Sequence, residues 1–201
     1  MAQASNQAKV APNSTVVVVP GLRDETPTHW QSLLAATLPA VHVLPALGRR
    51  NIDLTARMAA IEAAVSSITG PVIIVAHSGG VISTVHWALQ TRLRVRGALL
   101  ATPPVFDRSL PAEFPELPAF EQAGWLPLPR SPLPFPGIVA ASRNDPLGPF
   151  DKVAELARSW QSELVDLGEV GHLNPASGFG EWPGARNLIE QLDKVRAAAP
   201  L

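Results

Sequence analysis

Cysteine is absent from the 201 residues. Disulfides, thiolate catalysis and cysteine-ligated metal centres are thereby excluded, and a reducing cytoplasm is the expected location. An excess of one charge is also missing. Sixteen Lys and Arg stand against 17 Asp and Glu without a basic stripe, so neither nucleic acid nor an anionic membrane is an expected partner. No apolar run approaches the ~18 residues that a bilayer span requires. The first 14 residues, MAQASNQAKVAPNS, lack the apolar stretch of a secretory signal and read as a frayed tail. The Asn13-Ser14-Thr15 triplet is then a chance match to a glycosylation acceptor. The five histidines are scattered, with no His-x-x-x-His or His-Glu-x-x-His pair, so no metal site is expected. Internal repeats and low-complexity linkers are lacking as well.

What is present is a single domain's worth of chain, 46% apolar, expected to occupy 15–201. Short apolar runs at 16–19, 41–44, 72–75, 95–100, 138–141 and 163–167 read as strands buried on both faces. Helical patterns lie between them, at about 27–38, 53–68, 80–93, 149–160 and 184–198. Thr26 is the expected N-cap of the first, with Pro27 in its first turn. This alternation predicts an α/β fold, a mostly parallel sheet of about six strands with helices on both faces. One stretch breaks the rhythm. Residues 102–136 carry ten of the 21 prolines, together with Phe106, Phe114, Phe120 and Trp125. So long a connection is either a cap over a site or a rigid excursion packed on the body.

The stretch PVIIVAHSGG (71–80) runs a buried strand into a sharp turn and then a helix. That context suits a nucleophile elbow, which presents a serine hydroxyl above the sheet. Ser78 is the candidate nucleophile. Ala76, His77 and Gly80 would pack the elbow, and the small residues two positions either side of the serine permit the tight turn. The start of the following helix favours negative charge beside Ser78.

A serine hydroxyl needs a base. His77 beside the serine, His86 within a helix and His42 within a strand suit packing roles better than proton transfer, and His77 is expected to pack or to bond locally. His172, in GEVGHLN (168–174), follows the last strand at its carboxyl end, where open parallel sheets place their chemistry. Asp145, in ASRNDP (141–146), follows another strand and would orient the base. Its alternative role is a turn residue before Pro146, and Asp166 and Asp107 are rival acids. The order Ser78, Asp145, His172 is that of α/β-hydrolases. An oxyanion hole needs two N–H donors. Gly79 would supply one, and the Pro20-Gly21 turn the other, from Leu22 or the neighbouring Arg23.

Three stretches then resemble a family: PGLRDETPTHW (20–30), AHSGG (76–80) and GHLNPASGFGEWP (171–183). With the Asp145-Pro146 turn they resemble the small serine hydrolases of the retinoblastoma-binding protein 9 and YdeN type, over about residues 15–195. Alanine at position 76, where glycine is usual, is a mild departure. The resemblance implies a compact α/β-hydrolase fold, a Ser78, Asp145 and His172 triad and no cofactor. It leaves the substrate undefined.

The expected reaction is hydrolysis of an ester, thioester or amide of a small acyl substrate, esters ahead of peptides. A silent binding protein on the same fold, or a transacylase or perhydrolase on the same triad, are the alternatives. A protein partner is left open. Arg23 and Arg143 lie in site loops, as surface charges or as partners for a carboxylate. Trp30 belongs to the core or to the substrate wall, and the Pro-rich aromatics suggest an apolar acyl pocket.

Overall fold

Apolar β-branched runs form the centre of the molecule. The computed structural model describes residues 13–106 and 109–194. Six strands make one sheet: β1 (Thr15–Val19), β2 (Val41–Val43), β3 (Val72–His77), β4 (Gly97–Ala101), β5 (Gly137–Ala141) and β6 (Glu163–Asp166). Their order is β2-β1-β3-β4-β5-β6, and each neighbouring pair is parallel. Side chains alternate between faces along a strand. Val17 and Val19 accordingly enter one apolar layer, and Val16 and Val18 the other.

Helices cover both faces, because neither face can stay in water. On one side lie α2 (Leu54–Ser67), α3 (Gly79–Ala88) and α5 (Phe150–Ser159). On the other lie α1 (Trp30–Ala35) and α6 (Gly184–Lys194). The expectation of strands buried on both faces fails at the edges. Much of β2 and β6 is exposed, since an edge strand lacks a neighbour and these two lack full helix cover. His42 on β2 is therefore exposed rather than fixed by sheet neighbours. Among the described residues no helix is long and apolar enough to cross a membrane.

Two helix boundaries differ from expectation for local reasons. The N-cap of α1 is His29, not Thr26. The Thr26 carbonyl accepts from the His29 N–H in a preceding turn, and His29 Nδ1 accepts from the Gln31 N–H (3.2 Å). The third helix stops at Ala88 instead of continuing to 93. There the Thr91 hydroxyl accepts from the Leu93 N–H and donates to Glu62, a side-chain alternative to helical bonding. The expected end of the last helix, at 198, lies outside the described residues. At the other end, Ser14 is buried rather than frayed. Its hydroxyl donates to Asp193, and the Asn13 N–H reaches the same carboxylate at 2.8 Å.

The Pro-rich excursion contains a short helix, α4 (Leu117–Gln122), which proline spacing concealed. Phe106, Phe120 and Trp125 are buried and stack on one another at 4.8–6.2 Å between ring centroids. The Trp125 indole N–H donates to the Ile52 carbonyl at 2.7 Å, and His86 donates to the Trp125 carbonyl at 3.2 Å. Most of the excursion is thus rooted in the body.

Candidate active site

The chain leaves β1 toward β2 on one side and leaves β3 toward β4 on the other. Such a reversal opens a crevice at the carboxyl ends of β1 and β3. Residues 20–23 follow β1 there, and Ser78 follows β3.

Ser78 has φ 55° and ψ −127°, a conformation that non-glycine residues avoid. Strain of this kind costs on the order of 1–3 kcal/mol and persists only where surroundings enforce it. The enforcement is visible. The Ser78 N–H donates to the Ala101 carbonyl (2.9 Å) at the end of β4, and α3 starts at once. A Cβ on Gly80 would lie 2.5 Å from the Val19 carbonyl oxygen and 2.7 Å from that of Pro20, so only glycine lets α3 approach β1 this closely. Ala76 is fully buried opposite Val19 and Leu100, where a small side chain fits.

The Ser78 hydroxyl donates to His172 Nε2 at 2.8 Å. His172 Nδ1 donates to both Asp145 oxygens, at 2.8 and 2.9 Å. Asp145 and His172 are both buried. Asp145 Oδ1 also accepts the Leu147 N–H (2.9 Å), so the turn role beside Pro146 and the bond to the base coexist. Asp166 is held by Arg143 at the surface, and Asp107 lies outside the described residues.

Positioning residues that the sequence did not single out tie these loops together. The Asn144 carboxamide oxygen accepts from the Gly171 N–H (2.7 Å) and the Ser142 hydroxyl (2.9 Å), and Ser142 Oγ accepts the Val170 N–H (3.2 Å). The Asp145 loop thus grips the His172 loop. His77 packs in the elbow, and its hydrogen bond is not local: Nε2 donates to the carbonyl of His172 itself, 2.9 Å away and 95 residues along the chain. Gln31, fully buried, donates to the Val19 and Val75 carbonyls (both 3.1 Å) and closes the top of the β1–β3 seam.

Electrostatics follow from burial. His29 is held neutral, its pKa lowered to about 3 by burial first and then by the Arg23 and His172 charges. Burial, with the same kind of cationic neighbours, pushes His77 well below the usual histidine range. The two rings pack 4.7 Å apart, and Trp30 is core, fully buried against Trp182. A cavity of about 340 Å³ opens over Ser78 and His172, walled by Leu22, Arg23, Phe114 and Leu147 among others. Of the five aromatics in the Pro-rich stretch, only Phe114 reaches it. The described residues contain no cluster of His, Asp and Glu suited to a metal.

A parallel six-stranded sheet with this strand order, helices on both faces and a strained serine after β3 defines an α/β-hydrolase fold. Within that class the chain belongs to the serine hydrolase family, whose model matches residues 16–191. It is similar to a YdeN-like hydrolase of Pectobacterium atrosepticum, with 33% identity, 90% of each chain covered and a TM-score of 0.75. The ydeN gene product of Bacillus subtilis shares the fold at 18% identity and a TM-score of 0.69, over 90% of this chain and 98% of that one. A thermophilic esterase from Thermogutta terrifontis shares it at 15% identity and a TM-score of 0.61, over 92% of each chain. No curated protein matches the chain.

Proposed function

We propose that the chain hydrolyses small acyl esters through an acyl-serine intermediate, with Ser78 as nucleophile, His172 as base and Asp145 as the acid that orients it. The observation that carries this reading is the continuous hydrogen-bond chain from Ser78 Oγ through His172 to Asp145, with no link longer than 2.9 Å. Ser78 Oγ attacks the acyl carbon and passes its proton to His172 Nε2. Asp145 holds Nδ1–H and stabilises the imidazolium. The ester C–O bond breaks, and His172 returns the proton to the departing alkoxide. A water then gives its proton to His172 as it attacks the acyl-serine; the acyl C–Oγ bond breaks, His172 returns the proton to Ser78 Oγ, and the acid is released.

The oxyanion hole is assigned to the Leu22 and Gly79 N–H groups. Of the two candidates in the first loop, Leu22 is preferred to Arg23, whose N–H donates to the Gly21 carbonyl (3.1 Å). Among the described residues no acceptor takes the Leu22 N–H, and a Cβ on Gly79 would lie 3.5 Å from that nitrogen, so the two donors are neighbours. Each is worth roughly 3–4 kcal/mol of transition-state stabilisation. A cavity of about 340 Å³ admits a short acyl group rather than an extended peptide, which favours esters. The soluble cytoplasm suits such a small-molecule substrate, with no nucleic acid and no membrane involved.

A fluorophosphonate probe tests the assignment without knowledge of the substrate. Labelling of the wild type that disappears in both Ser78→Ala and His172→Ala is the expected result. A folded wild type that takes no label would refute it and favour a silent binding protein.

A further inference from the structure

The substrate of this acyl-serine chemistry has a feature that the cavity wall encodes. Two arginines in site loops are candidates for meeting a carboxylate, and the structure separates them. Arg143 points to the surface, where its Nε–H and Nη2–H both donate to Asp166 Oδ2, at 2.8 and 2.5 Å. It has its carboxylate already. Arg23 is half-buried on the wall of the cavity over Ser78 and has none among the described residues. Its Nη1 donates to the Asp24 carbonyl (3.0 Å), and Nη2 makes a long contact of 3.5 Å to Gln31 Oε1. Its Nε–H is buried with no acceptor among the described residues.

A guanidinium offers five donors in a rigid fork, and most of this fork is unused. The other charges at the cavity do not fill the role. Arg49 is a second cation, already paired with Asp24 at 3.2 Å. Glu113 is exposed on the rim, and Glu25 acts on Arg23 only at longer range. His29 and His77, behind the cavity, are neutral. The fixed charge facing the cavity interior is therefore positive. A cation drawn out of water without a carboxylate is costly, and a charge-assisted pair with a ligand offsets that cost. Arg23 also immediately follows Leu22, so an anion on its fork shares the cavity with the reacting carbonyl.

We propose that Arg23 binds a carboxylate of the substrate, and that the substrates are small esters bearing a free carboxylate group. The inference rests on the hydrolase reading above, and its test keeps the two apart. Two substrate pairs are compared. p-Nitrophenyl hydrogen adipate against p-nitrophenyl hexanoate places the carboxylate on the acyl side. 4-Butyryloxybenzoate against its methyl ester places it on the leaving group. The wild type is expected to prefer the anionic member of at least one pair in kcat/KM. Arg23→Gln lowers that preference by roughly 10- to 100-fold, chiefly through KM, the scale of one charged hydrogen-bond pair. Arg23→Lys restores part of it, which a merely misfolded site would not do.

Neutral esters preferred in both pairs, or a preference that Arg23→Gln leaves intact, would overturn the proposal. Calorimetric binding of adipate gives a readout independent of turnover, with affinity expected to fall about tenfold or more in Arg23→Gln. Equal affinity in the two proteins counts against Arg23. Absent turnover of every ester, with Ser78 unlabelled by fluorophosphonate, counts instead against the hydrolase, and adipate binding then decides Arg23 by itself.

Discussion

Gly80→Ala places a single methyl group where the elbow meets β1. The new Cβ would stand 2.5 Å from the Val19 carbonyl oxygen and 2.7 Å from that of Pro20, whereas ordinary contact begins near 3.4 Å. Both obstacles are backbone, so no side chain can rotate away. Either the N-terminus of α3 or the loop after β1 must shift by several tenths of an ångström. Overpacking of this kind costs typically about 1–3 kcal/mol. For a domain of this length that lowers Tm by roughly 2–12 °C. The same shift separates the Gly79 and Leu22 N–H groups, and a misplacement of about 1 Å can cost on the order of 100-fold in rate. Thermal denaturation followed by circular dichroism, and kcat/KM on a p-nitrophenyl ester, measure the two effects. Gly180→Ala is the control, because an added Cβ there meets nothing within 4 Å. A Gly80→Ala protein indistinguishable from wild type in both Tm and rate would refute the claim that glycine sets the elbow's approach.

The elbow's strain can be isolated by comparing Ser78→Gly with Ser78→Ala. Both lose the hydroxyl and all hydrolysis, but only glycine tolerates φ 55° freely. Ser78→Gly should therefore be the more stable by about 1–2 kcal/mol, a few degrees in Tm, and equal Tm values would remove strain from the account. His29 makes stability depend on pH. In the unfolded chain it takes a proton near its ordinary value of 6.5, while in the fold it stays neutral down to about 3. The unfolded state binds the extra proton throughout that window, so stability falls as pH drops from 6.5 toward 3, by up to ~1.4 kcal/mol per pH unit. His29→Asn keeps a capping acceptor for the Gln31 N–H and removes the titration. Urea unfolding between pH 6.5 and 5, above the range where most carboxylates titrate, should show a shallower slope in the variant, and an unchanged slope would show that His29 is not held neutral.

The sequence made legible those features that local pattern determines. Apolar β-branched runs gave the six strands, and a strand running into AHSGG located the elbow, because its tight geometry demands small residues on both flanks. The chain order of Ser78, Asp145 and His172 was readable because each follows a separate strand. Illegible were features created by contacts distant in sequence. Nothing near His77 indicates a bond to a carbonyl 95 residues away, and nothing near Asn144 marks it as the clasp on Gly171. Proline spacing in the excursion concealed α4 and left open a cap or a rigid packed excursion, and only the burial of Trp125 and Phe120 shows that this part is rooted in the core. Arg23 and Arg143 look alike as letters. Only the presence of Asp166 beside one of them tells them apart.

The backbone of His172, the proposed base, is supported by His77, which burial keeps neutral. His77 can donate to the His172 carbonyl in either charge state, but a charged His77 would place a cation beside the ring that must itself become an imidazolium during acylation. Complete burial prevents this, and His29, packed 4.7 Å away, is held neutral in the same way. The arrangement leaves two buried nitrogens, His29 Nε2 and His77 Nδ1, without partners among the described residues. Their desolvation is a standing cost to the fold. What offsets it is an apolar setting, completed by Trp30 and Trp182, in which the loop carrying His172 is fixed by a neutral donor. In the proposed mechanism, a proton passing from Ser78 to His172 then meets no second cation in the layer beneath.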